Sequence, residues 1–443
     1  MTVMPVFESH RALAREKRLF LLAASALFIY ALMVPMGWAT ETSEKIIAIR
    51  FVGNKITRDS VLRQQLTIHV GQPFNAAQVA ASRQAIMNLG LFSSVSDSVK
   101  HTPKGVIITF IVHEKIYTWG YPLLSRDING NISYGGQIQS DNLFGLDQTL
   151  KLVIKRNRPT NGGDQLQETL SYLAPRISGS PYNIDTNLTQ TSQPQLSLGE
   201  GGDQGDYSQR TRSLGVTISR WLFRQGPSTG WSGSLGWSLS ATHYQWLSGT
   251  KGLAQNSRSS GFSVGASYTD VDLHAYSYRS GEAFGTSFGF GATRRVRTYP
   301  QLSLSAYLRR YRRLSTPLTN LNYRLQAGVA WQSSALGPAY SLGGGNSLRG
   351  YQSGSIEGDA FFLANVEYLR PIFNQTRVRG VVFMDAGNAW PLQAIRPWNL
   401  YSDIGLGLRI AIPWLVKVDL RMDCAYAVGQ RRYRCYFGTH NMF

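Results

Sequence analysis

The sequence predicts an all-β transmembrane barrel of about 16 antiparallel strands, preceded by one small N-terminal α/β domain. Three observations lead to this fold class. The 443 residues include 12% aromatics and 44 glycines but only 16% charged residues, a composition that suits extensive β-structure. Helical periodicity is confined to residues 45–116, and from Tyr117 onwards apolar residues alternate with polar ones. A basic and then apolar N-terminus indicates that the chain is exported.

The composition also excludes several classes of protein. A disordered chain would carry more charge and fewer aromatics than this one. Beyond the N-terminus no apolar run approaches the ~18 residues of a membrane-spanning helix. The excess of 45 Lys and Arg over 26 Asp and Glu gives a net charge of +19, which suits nucleic acid, anionic lipid or an anionic surface. Export argues against nucleic acid, which leaves lipid headgroups and acids inside the barrel as counter-charges.

Residues 1–39 have the pattern of a secretory signal peptide. An apolar stretch of 16 residues, from Leu19 to Val34, follows four basic residues. Gly37 and Ala39 place small residues at the −3 and −1 positions of a cleavage site after Ala39. An uncleaved anchor helix is the alternative, although the stretch is short for a membrane span.

Residues 45–116 are predicted to form a separate α/β domain with the element order β-α-α-β-β. A strand at 45–52 precedes a short helix, which Thr57 is expected to cap. A second helix is predicted between Asn75, a good N-cap residue, and Gly90, which suits the left-handed position after a helix. The two remaining strands are predicted at 92–100 and 105–114.

Residues 117–443 are predicted to form the barrel. One face of each segment is apolar or aromatic, and the other carries Arg, Lys, Gln and Gly. Basic residues on the inner face, strands of about ten residues and export distinguish a transmembrane barrel from a soluble sandwich. An even number of strands places both ends of the barrel on the periplasmic side. The strand candidates are 117–123, 132–140, 148–157, 166–174, 181–191, 210–219, 230–242, 259–270, 283–294, 300–311, 321–332, 360–370, 378–387, 403–412, 416–426 and 433–443.

The predicted connections alternate between long and short along the chain. The long ones then face the cell exterior, and they include 192–209, 243–258, 333–359 and 388–402. Among the periplasmic turns, 271–282 is unusually long. The longest connection, 333–359, has 27 residues with glycines at its centre, and such a loop is usually functional or disordered.

Short motifs in both regions resemble one outer-membrane protein family. Gly71–Phe74, Asn88–Phe92 and the strand through Val95 resemble a POTRA domain. Gly343–Tyr351 resembles the Arg-Gly-aromatic motif in the sixth extracellular loop of the BamA/TamA-type (bacterial surface antigen) superfamily. Three further matches, in the expected order, are Asn142–Gly145 (first periplasmic turn), Asn365–Tyr368 (acidic strand) and Phe383–Gly387 (Phe-x-Asp-x-Gly strand). The chain is therefore similar to a short, single-POTRA member of this superfamily.

The resemblance implies a protein of the Gram-negative outer membrane, with its POTRA domain in the periplasm. It implies an assembly or translocation factor that inserts or exports β-rich client proteins through a barrel with a lateral seam, without enzyme activity, cofactor or metal. The implied partners are unfolded outer-membrane or secreted clients, anionic outer-membrane lipids and periplasmic chaperones, and not nucleic acid. A passive porin or channel, and a dedicated secretion transporter for one partner protein, remain alternatives.

The predicted sixth outer loop carries the central motif. The planar guanidinium of Arg349 suits a carboxylate. Strand alternation places Glu367 and Asp385 in the lumen on neighbouring strands, so both acids can reach one cation. We therefore expect loop six to fold into the barrel, with Arg349 paired to both acids; an unpaired arginine in a solvated loop is the alternative. The residues of this loop-six motif and lumen brace are Leu348, Arg349, Gly350, Tyr351, Glu367, Phe383, Asp385 and Gly387.

Two strands are candidates for contact with client proteins. The predicted edge of the POTRA sheet is Phe92–Lys100, where a client strand can add by backbone pairing. The first barrel strand contains Gly120 and Pro122, and because proline cannot donate to a ladder, this strand is expected to close weakly against the last. A plain spacer domain and a merely short strand are the alternatives. The residues expected along the edge are Phe92, Val95 and Val99.

The chain ends with residues that fit the C-terminal signal of barrel proteins. Tyr436, Gly438 and Phe443 match this signal, whereas Asn441 occupies a place where an aromatic is expected. Recognition of this end by other assembly machinery is therefore only partly supported.

The two cysteines, Cys424 and Cys435, lie on the predicted last hairpin. They would lie directly opposite each other if the hairpin turns between Gly429 and Gln430. Because the periplasm is oxidising, a disulfide is one outcome and a pair of free thiols is the other.

Signals of enzyme chemistry are weak. Gly261–Gly265 and Gly285–Gly289 match the nucleophile pattern Gly-x-Ser-x-Gly, but they lie inside alternating strands rather than at a strand–turn–helix elbow. A barrel hydrolase that uses Ser263 or Ser287 is the alternative that this pattern leaves. The seven histidines have no metal-binding spacing.

Overall fold

A computed structural model describes residues 44–126, 132–158, 163–199, 203–226, 229–274, 278–314, 318–372, 375–416 and 419–438. The predicted signal peptide and the C-terminal Phe443 lie outside these ranges. Within the ranges, the helices are too short or too polar to cross a membrane.

The N-terminal domain has the predicted β-α-α-β-β order. Its elements are β1 (Ile46–Val52), α1 (Asp59–Arg63), α2 (Ala76–Asn88), β2 (Phe92–Thr102) and β3 (Gly105–Glu114). The sheet order is β1-β3-β2, with β1 parallel and β2 antiparallel to the central β3. Both helices pack their apolar residues against this sheet, so that Leu62 of α1 and Ile86 of α2 join Phe92 and Phe110 in one core.

The predicted cap residues at both ends of the second helix are confirmed, whereas the predicted cap of the first helix is not. The Asn75 side chain accepts hydrogen bonds from the backbone of Ala77 and Gln78, and Gly90 follows the helix with a φ of +73°. The prediction that Thr57 caps α1 is wrong, because Arg58 occupies the N-cap position without a side-chain hydrogen bond. The Thr57 hydroxyl instead bonds the Tyr117 hydroxyl at 3.0 Å, which joins the domain to the start of the barrel.

Sixteen strands form the barrel sheet in chain order, as predicted, and each predicted candidate overlaps one of them. All pairs are antiparallel. The strands are β4 (Thr118–Arg126), β5 (Ile132–Leu143), β6 (Gln148–Arg158), β7 (Gln165–Ala174), β8 (Tyr182–Leu198), β9 (Gly205–Arg224), β10 (Thr229–Gly249), β11 (Ser257–Leu273), β12 (Arg279–Arg294), β13 (Thr298–Arg313), β14 (Asn320–Gln332), β17 (Ala360–Ile372), β18 (Gln375–Trp390), β19 (Tyr401–Ala411), β20 (Asp419–Ala427) and β21 (Arg432–Gly438). The connection between β14 and β17 contains a small hairpin, β15 (Tyr340–Leu342) with β16 (Ile356–Gly358).

Several predicted connections prove to be strand. β9 and β10 have 20 and 21 residues, so most of 192–209 and 243–258 belongs to paired backbone. Likewise, β11 and β12 extend until only 274–278 separates them, which removes the anomaly of the long periplasmic turn. The reason is that backbone pairing continues to Gly249 opposite Gly205, beyond the point where regular apolar alternation stops.

Backbone and side-chain hydrogen bonds attach the N-terminal domain to the barrel near its first and last strands. The Ile116 amide donates to the Trp414 carbonyl at 2.7 Å, in the turn between β19 and β20. Arg58 donates to the first turn of the barrel, through its amide to the Gly145 carbonyl and through Nε to the Phe144 carbonyl, both at 3.0 Å. These contacts place the domain beside the turns that flank β4.

The same domain also contacts the opposite side of the barrel. Asn88, at the end of α2, donates to Asp272 Oδ1 and accepts from the Leu273 amide, both at 2.8 Å. Gln84 Nε2 donates to the Leu273 carbonyl at 2.9 Å. Asp272 and Leu273 lie at the end of β11, the eighth of the sixteen barrel strands. The domain therefore spans from the turns near β4 to the opposite wall.

Candidate functional site

Loop six, which comprises residues 333–359, folds against the inner wall of the barrel. Leu348 and Tyr351 are buried in a cluster with Leu363 of β17, Ala389 of β18 and Ala427 of β20. The hairpin of β15 and β16 forms the base of the loop. The segment at its tip, including Arg349, is fully buried although it belongs to a connection rather than a strand.

Arg349 is the centre of the buried contacts made by loop six. Its Nε and Nη2 donate to the two carboxylate oxygens of Asp385, both at 2.7 Å. Its Nη1 donates to Glu367 Oε1 at 2.6 Å and to Asp423 Oδ2 at 3.1 Å. The Phe383 ring supports the guanidinium from one face, with the Cζ atom 3.4 Å from the ring centroid. Every nitrogen of this side chain therefore has an acidic partner.

The register of the barrel strands explains why these side chains meet. Asn365 of β17 lies directly opposite Asp385 of β18, and Glu367 lies opposite Phe383. All four positions share the lumen face because successive residues of a strand alternate between faces. On the next strand, Gly405 lies opposite Phe383, and a side chain there would overlap the aromatic ring.

Two further arginines bring the number of positive charges in the buried cluster to three, equal to the number of acids. Arg409 of β19 donates to Glu367 Oε1 at 2.8 Å and to Asp423 Oδ1 at 2.5 Å. Arg421 of β20 donates through Nε to Asp423 Oδ2 at 2.6 Å. We call the set of three bases and three acids the lumen network. Its members are Arg349, Arg409, Arg421, Glu367, Asp385 and Asp423.

The lumen network keeps the Arg349 side chain positively charged. Burial lowers the pKa of Arg349, but the hydrogen bond and charge of Asp385, with the charges of Glu367 and Asp423, raise it above its ordinary value. A buried charge of this kind is tolerated only because opposite charges and hydrogen bonds surround it.

Polar contacts to the loop backbone fix its path. The Gly350 amide donates to Asp403 Oδ2 at 2.9 Å, and a Cβ at Gly350 would lie 2.7 Å from the Asp403 Cβ. Asn365 Nδ2 donates to the Ser347 carbonyl at 2.8 Å. The Tyr436 hydroxyl of β21 donates to the Tyr351 carbonyl at 3.1 Å. Loop six is thus held by strands β17 to β21.

The structure brings together most residues that the sequence predicts for the brace. Arg349, Glu367, Phe383 and Asp385 are in contact, while Leu348, Gly350 and Tyr351 supply the packing and the close backbone approach. Gly387 lies outside the charged cluster, on β18 opposite Leu363, where a Cβ would press against the backbone of β17.

Sequence reasoning did not assign five polar residues to this site. Two of them are the bases Arg409 and Arg421 of the lumen network, and the other three bond the loop. Asp423, Asp403 and Asn365 are buried and bond either Arg349 or its backbone neighbours. The alternation of Asp423 with lumen-facing Arg421 on β20 could have identified the first of them. The other two depend on register across several strands.

The predicted client-binding strands have the following places in the fold. β2 is an edge strand of the domain sheet, with Phe92 buried, Val95 and Val99 half-buried, and serines exposed between them. β4 and β21 are the first and last strands of the barrel sheet, and β21 has 7 residues. Pro122 of β4 lies opposite Gly136 of β5.

The two cysteines form a disulfide across the last hairpin. Cys424 of β20 lies directly opposite Cys435 of β21, with the Sγ atoms 2.04 Å apart. Their strand neighbours on the same face, Met422 and Phe437, are exposed on the outer wall. The bond therefore joins the last two strands from the lipid side.

The serines of the two Gly-x-Ser-x-Gly patterns lie inside barrel strands. Ser263 and Ser287 lie within β11 and β12, without a helix at either position, and the Ser287 hydroxyl bonds that of Ser305 at 2.8 Å. No group of three or more His, Cys, Asp or Glu that could hold a metal is found among these residues.

A sixteen-stranded barrel with a lumen-bound loop and an N-terminal POTRA-like domain defines an outer-membrane β-barrel protein. Residues 44–115 match the family described as "POTRA: Surface antigen variable number repeat", and residues 142–443 match "Omp85 superfamily domain". The chain belongs to the Omp85 superfamily of outer-membrane insertion and secretion transporters. The predicted fold, resemblance and outer-membrane location are thereby confirmed.

One curated relative and two solved structures illustrate the similarity. "Outer envelope protein 80, chloroplastic" of Oryza sativa subsp. japonica is 26% identical over 377 residues, which cover 79% of this chain and 54% of that protein. The chain thus spans about half the length of this relative. BamA from Haemophilus ducreyi lacking POTRA domains 1-3 has a TM-score of 0.51 at 17% identity, with 89% of this chain and 84% of that chain covered. CdiB from Acinetobacter baumannii has a TM-score of 0.61 at 14% identity, with 89% and 73% covered. Both structures share the fold.

Proposed function

We propose that this chain is an outer-membrane assembly or translocation factor, which inserts or exports β-rich client proteins. The observation that carries the proposal is the lumen network, which ties loop six to β17, β18, β19 and β20. Loop six is therefore a fixed part of the barrel interior. A porin leaves its lumen to water and solutes. Because loop six is fixed inside the lumen, we expect conformational change in this barrel to occur in the strands of its wall.

The two ends of the sheet are the place of this change in the proposed mechanism. The network holds the wall from β17 to β20, and the disulfide joins β20 to β21. Among the described residues, β4 takes part in neither the ion pairs of the network nor the disulfide, and Pro122 lacks a backbone donor. We expect the wall to open between β4 and β21, where a client strand then pairs with the exposed edge.

Client capture is assigned to the edge of the N-terminal sheet. The exposed side chains of β2 are mostly serines, so recognition at this edge depends on the backbone. Backbone pairing accepts many sequences and suits a factor that handles varied β-rich clients. Unfolded clients, periplasmic chaperones that deliver them and anionic lipids around the barrel are the proposed partners.

Depletion of the protein followed by outer-membrane proteomics tests this function. An assembly factor predicts the loss of several β-barrel proteins, with complementation by wild type and by Arg309→Ala but not by Arg349→Ala. Arg309 is a matched control because it lies opposite the buried, lumen-facing Arg324 and takes part in none of the ion pairs of the network. An unchanged proteome would contradict the proposal, and the loss of one exported protein alone would assign dedicated secretion.

Planar bilayers test the porin alternative. A steady large conductance that persists when residues 45–116 are deleted would assign a passive channel. The proposal predicts low or transient conductance, since loop six is held within the lumen.

A further inference from the structure

Three arginines lie side by side on the outer wall of the barrel. Arg212 of β9 and Arg258 of β11 lie on either side of Ala241 of β10, directly opposite it in both registers. Arg294 of β12 lies directly opposite Arg258. All three side chains are exposed and share the face of the lipid-exposed Leu239. They therefore form one basic row across four strands, which we call the arginine row.

The arginine row lies where the apolar wall ends. Outward Leu214 follows Arg212, outward Phe290 and Ala292 precede Arg294, and outward Ser260 separates Arg258 from Phe262. The other end of β11 meets the N-terminal domain at Leu273, which is the periplasmic end. The row is therefore at the opposite boundary, at the level of the headgroups in the outer leaflet.

A groove runs beneath the arginine row. It has a volume of about 530 Å³ and is formed because small side chains lie between long ones. Leu188, Leu214 and Leu239 provide apolar walls, and Ala241 and Ala292 leave the space between them. An acyl chain fits such a surface, whereas a free anion gains nothing from it.

The arginine row has no direct acidic partner within the described chain, although Gln190 joins Arg212 to Glu168. Arg212 donates through Nε to Gln190 at 2.8 Å, and none of the three arginines forms an ion pair with another described residue. Like charges directly opposite on neighbouring strands destabilise the pairing, as for Arg258 and Arg294. A phosphate between these guanidinium groups would remove the repulsion and accept several charge-assisted hydrogen bonds.

We propose that this groove binds a phosphorylated glycolipid of the outer leaflet, with the lipid phosphate on the arginine row and an acyl chain in the groove. The proposal commits to this lipid class because the arginines lie in the outer leaflet and because the ligand must supply both an anionic headgroup and an apolar tail. It depends on the outer-membrane location and not on the proposed transport function.

Lipid binding by the purified full-length protein in detergent tests the site. Lipid A is added to wild type and to the Arg258→Ala/Arg294→Ala double variant, and retention is measured by native mass spectrometry. We expect wild type to retain lipid A and the double variant to bind it roughly tenfold or more weakly, because two charge-assisted contacts are lost. Arg220→Ala is the matched control, since Arg220 is on the same strand as Arg212 but stacks on Tyr182 towards the periplasmic end.

Binding measurements with other ligands distinguish between the possible occupants of the groove. Equal retention of phosphatidylglycerol would show that the site accepts anionic phospholipids in general and does not select a glycolipid. An equal response to inorganic phosphate would show that the apolar groove does not contribute to binding. Either result, or unchanged lipid A binding in the double variant, overturns the proposal. Heat-modifiable migration on gels verifies that each variant is folded, so that weaker binding reports on the site.

Discussion

Arg349 links loop six to three different strands through a single side chain. Its removal leaves Asp385, Glu367 and Asp423 with only two cations for three buried acids. Breaking a buried pair costs about 3–5 kcal/mol, mostly because a charge is left uncompensated. We expect Arg349→Ala to lower the unfolding midpoint in urea and to weaken the heat-modifiable folded band. Arg309→Ala should change neither, and equal midpoints for the two variants would contradict the role of the network.

A lysine at the same position separates charge from geometry. Arg349→Lys keeps one positive charge, but an ammonium cannot bind Asp385 with two parallel hydrogen bonds and reach Glu367 at once. We expect the stability of this variant to lie between those of wild type and Arg349→Ala. Full stability in the same urea titration would show that charge alone suffices.

Gly350 tests how closely the loop approaches the wall. A Cβ there would lie 2.7 Å from the Asp403 Cβ and 2.9 Å from the Ala427 backbone, so Gly350→Ala should displace the loop at a cost of about 1–3 kcal/mol. Limited proteolysis within 333–359 measures the displacement, and faster cleavage is expected. Gly215→Ala is the control because nothing lies within 4 Å of its Cβ position.

These residues also show how far the sequence alone can lead. Strand alternation places Glu367 and Asp385 in the lumen, and their neighbouring strands then predict a shared cation. Asp423 could not be assigned in this way, because it is 74 residues from Arg349 and meets it only through the register of β17 to β20. Thr57 was misassigned because a hydroxyl that suits a helix cap suits a tertiary hydrogen bond equally well.

The lengths of the strands were harder to predict than their number. Periodic apolar positions mark where a strand faces lipid, and this part of each strand was found. The extensions of β9 and β10 mix polar residues with Tyr, Trp and Leu without regular alternation, so their pattern does not distinguish a paired strand from a loop.

The last hairpin is secured by its covalent bond. Removing a disulfide that closes a short loop costs about 3 kcal/mol in the chain-entropy description. We expect the Cys424→Ser/Cys435→Ser double variant to unfold at lower temperature than wild type, with a matching decrease when wild type is reduced. A reduced wild type that melts like the oxidised protein would contradict this stabilisation.

The end of helix α2 holds the N-terminal domain against the end of strand β11. Asn88→Ala removes two hydrogen bonds to Asp272 and Leu273, so hydrogen exchange of the Leu273 amide should accelerate. Arg83→Ala, on the same helix but paired only with Asp97 at the surface, is the control. Unchanged exchange in the Asn88 variant would show that this contact does not hold the domain.

The division of the chain into domains was predicted more accurately from the sequence than the bounds of its individual elements. The division into one α/β domain and a barrel depends on a change of period from helical to alternating, which persists over many residues and averages out local errors. The charge distribution needed the structure, because alternation alone does not show that the lumen network is neutral or that the arginine row on the outer wall forms no ion pair among the described residues.

The placement of the N-terminal domain has a mechanical consequence. On one side it is joined to the barrel by the chain itself and by backbone hydrogen bonds at Ile116, and on the other by side chains of α2. The domain thus spans the periplasmic end of the barrel. It is attached covalently and through backbone hydrogen bonds on one side, and through side-chain hydrogen bonds on the other. Loss of the α2 contacts would leave the domain attached on the side of the first and last barrel strands, through the chain at Ile116 and the bonds of Arg58.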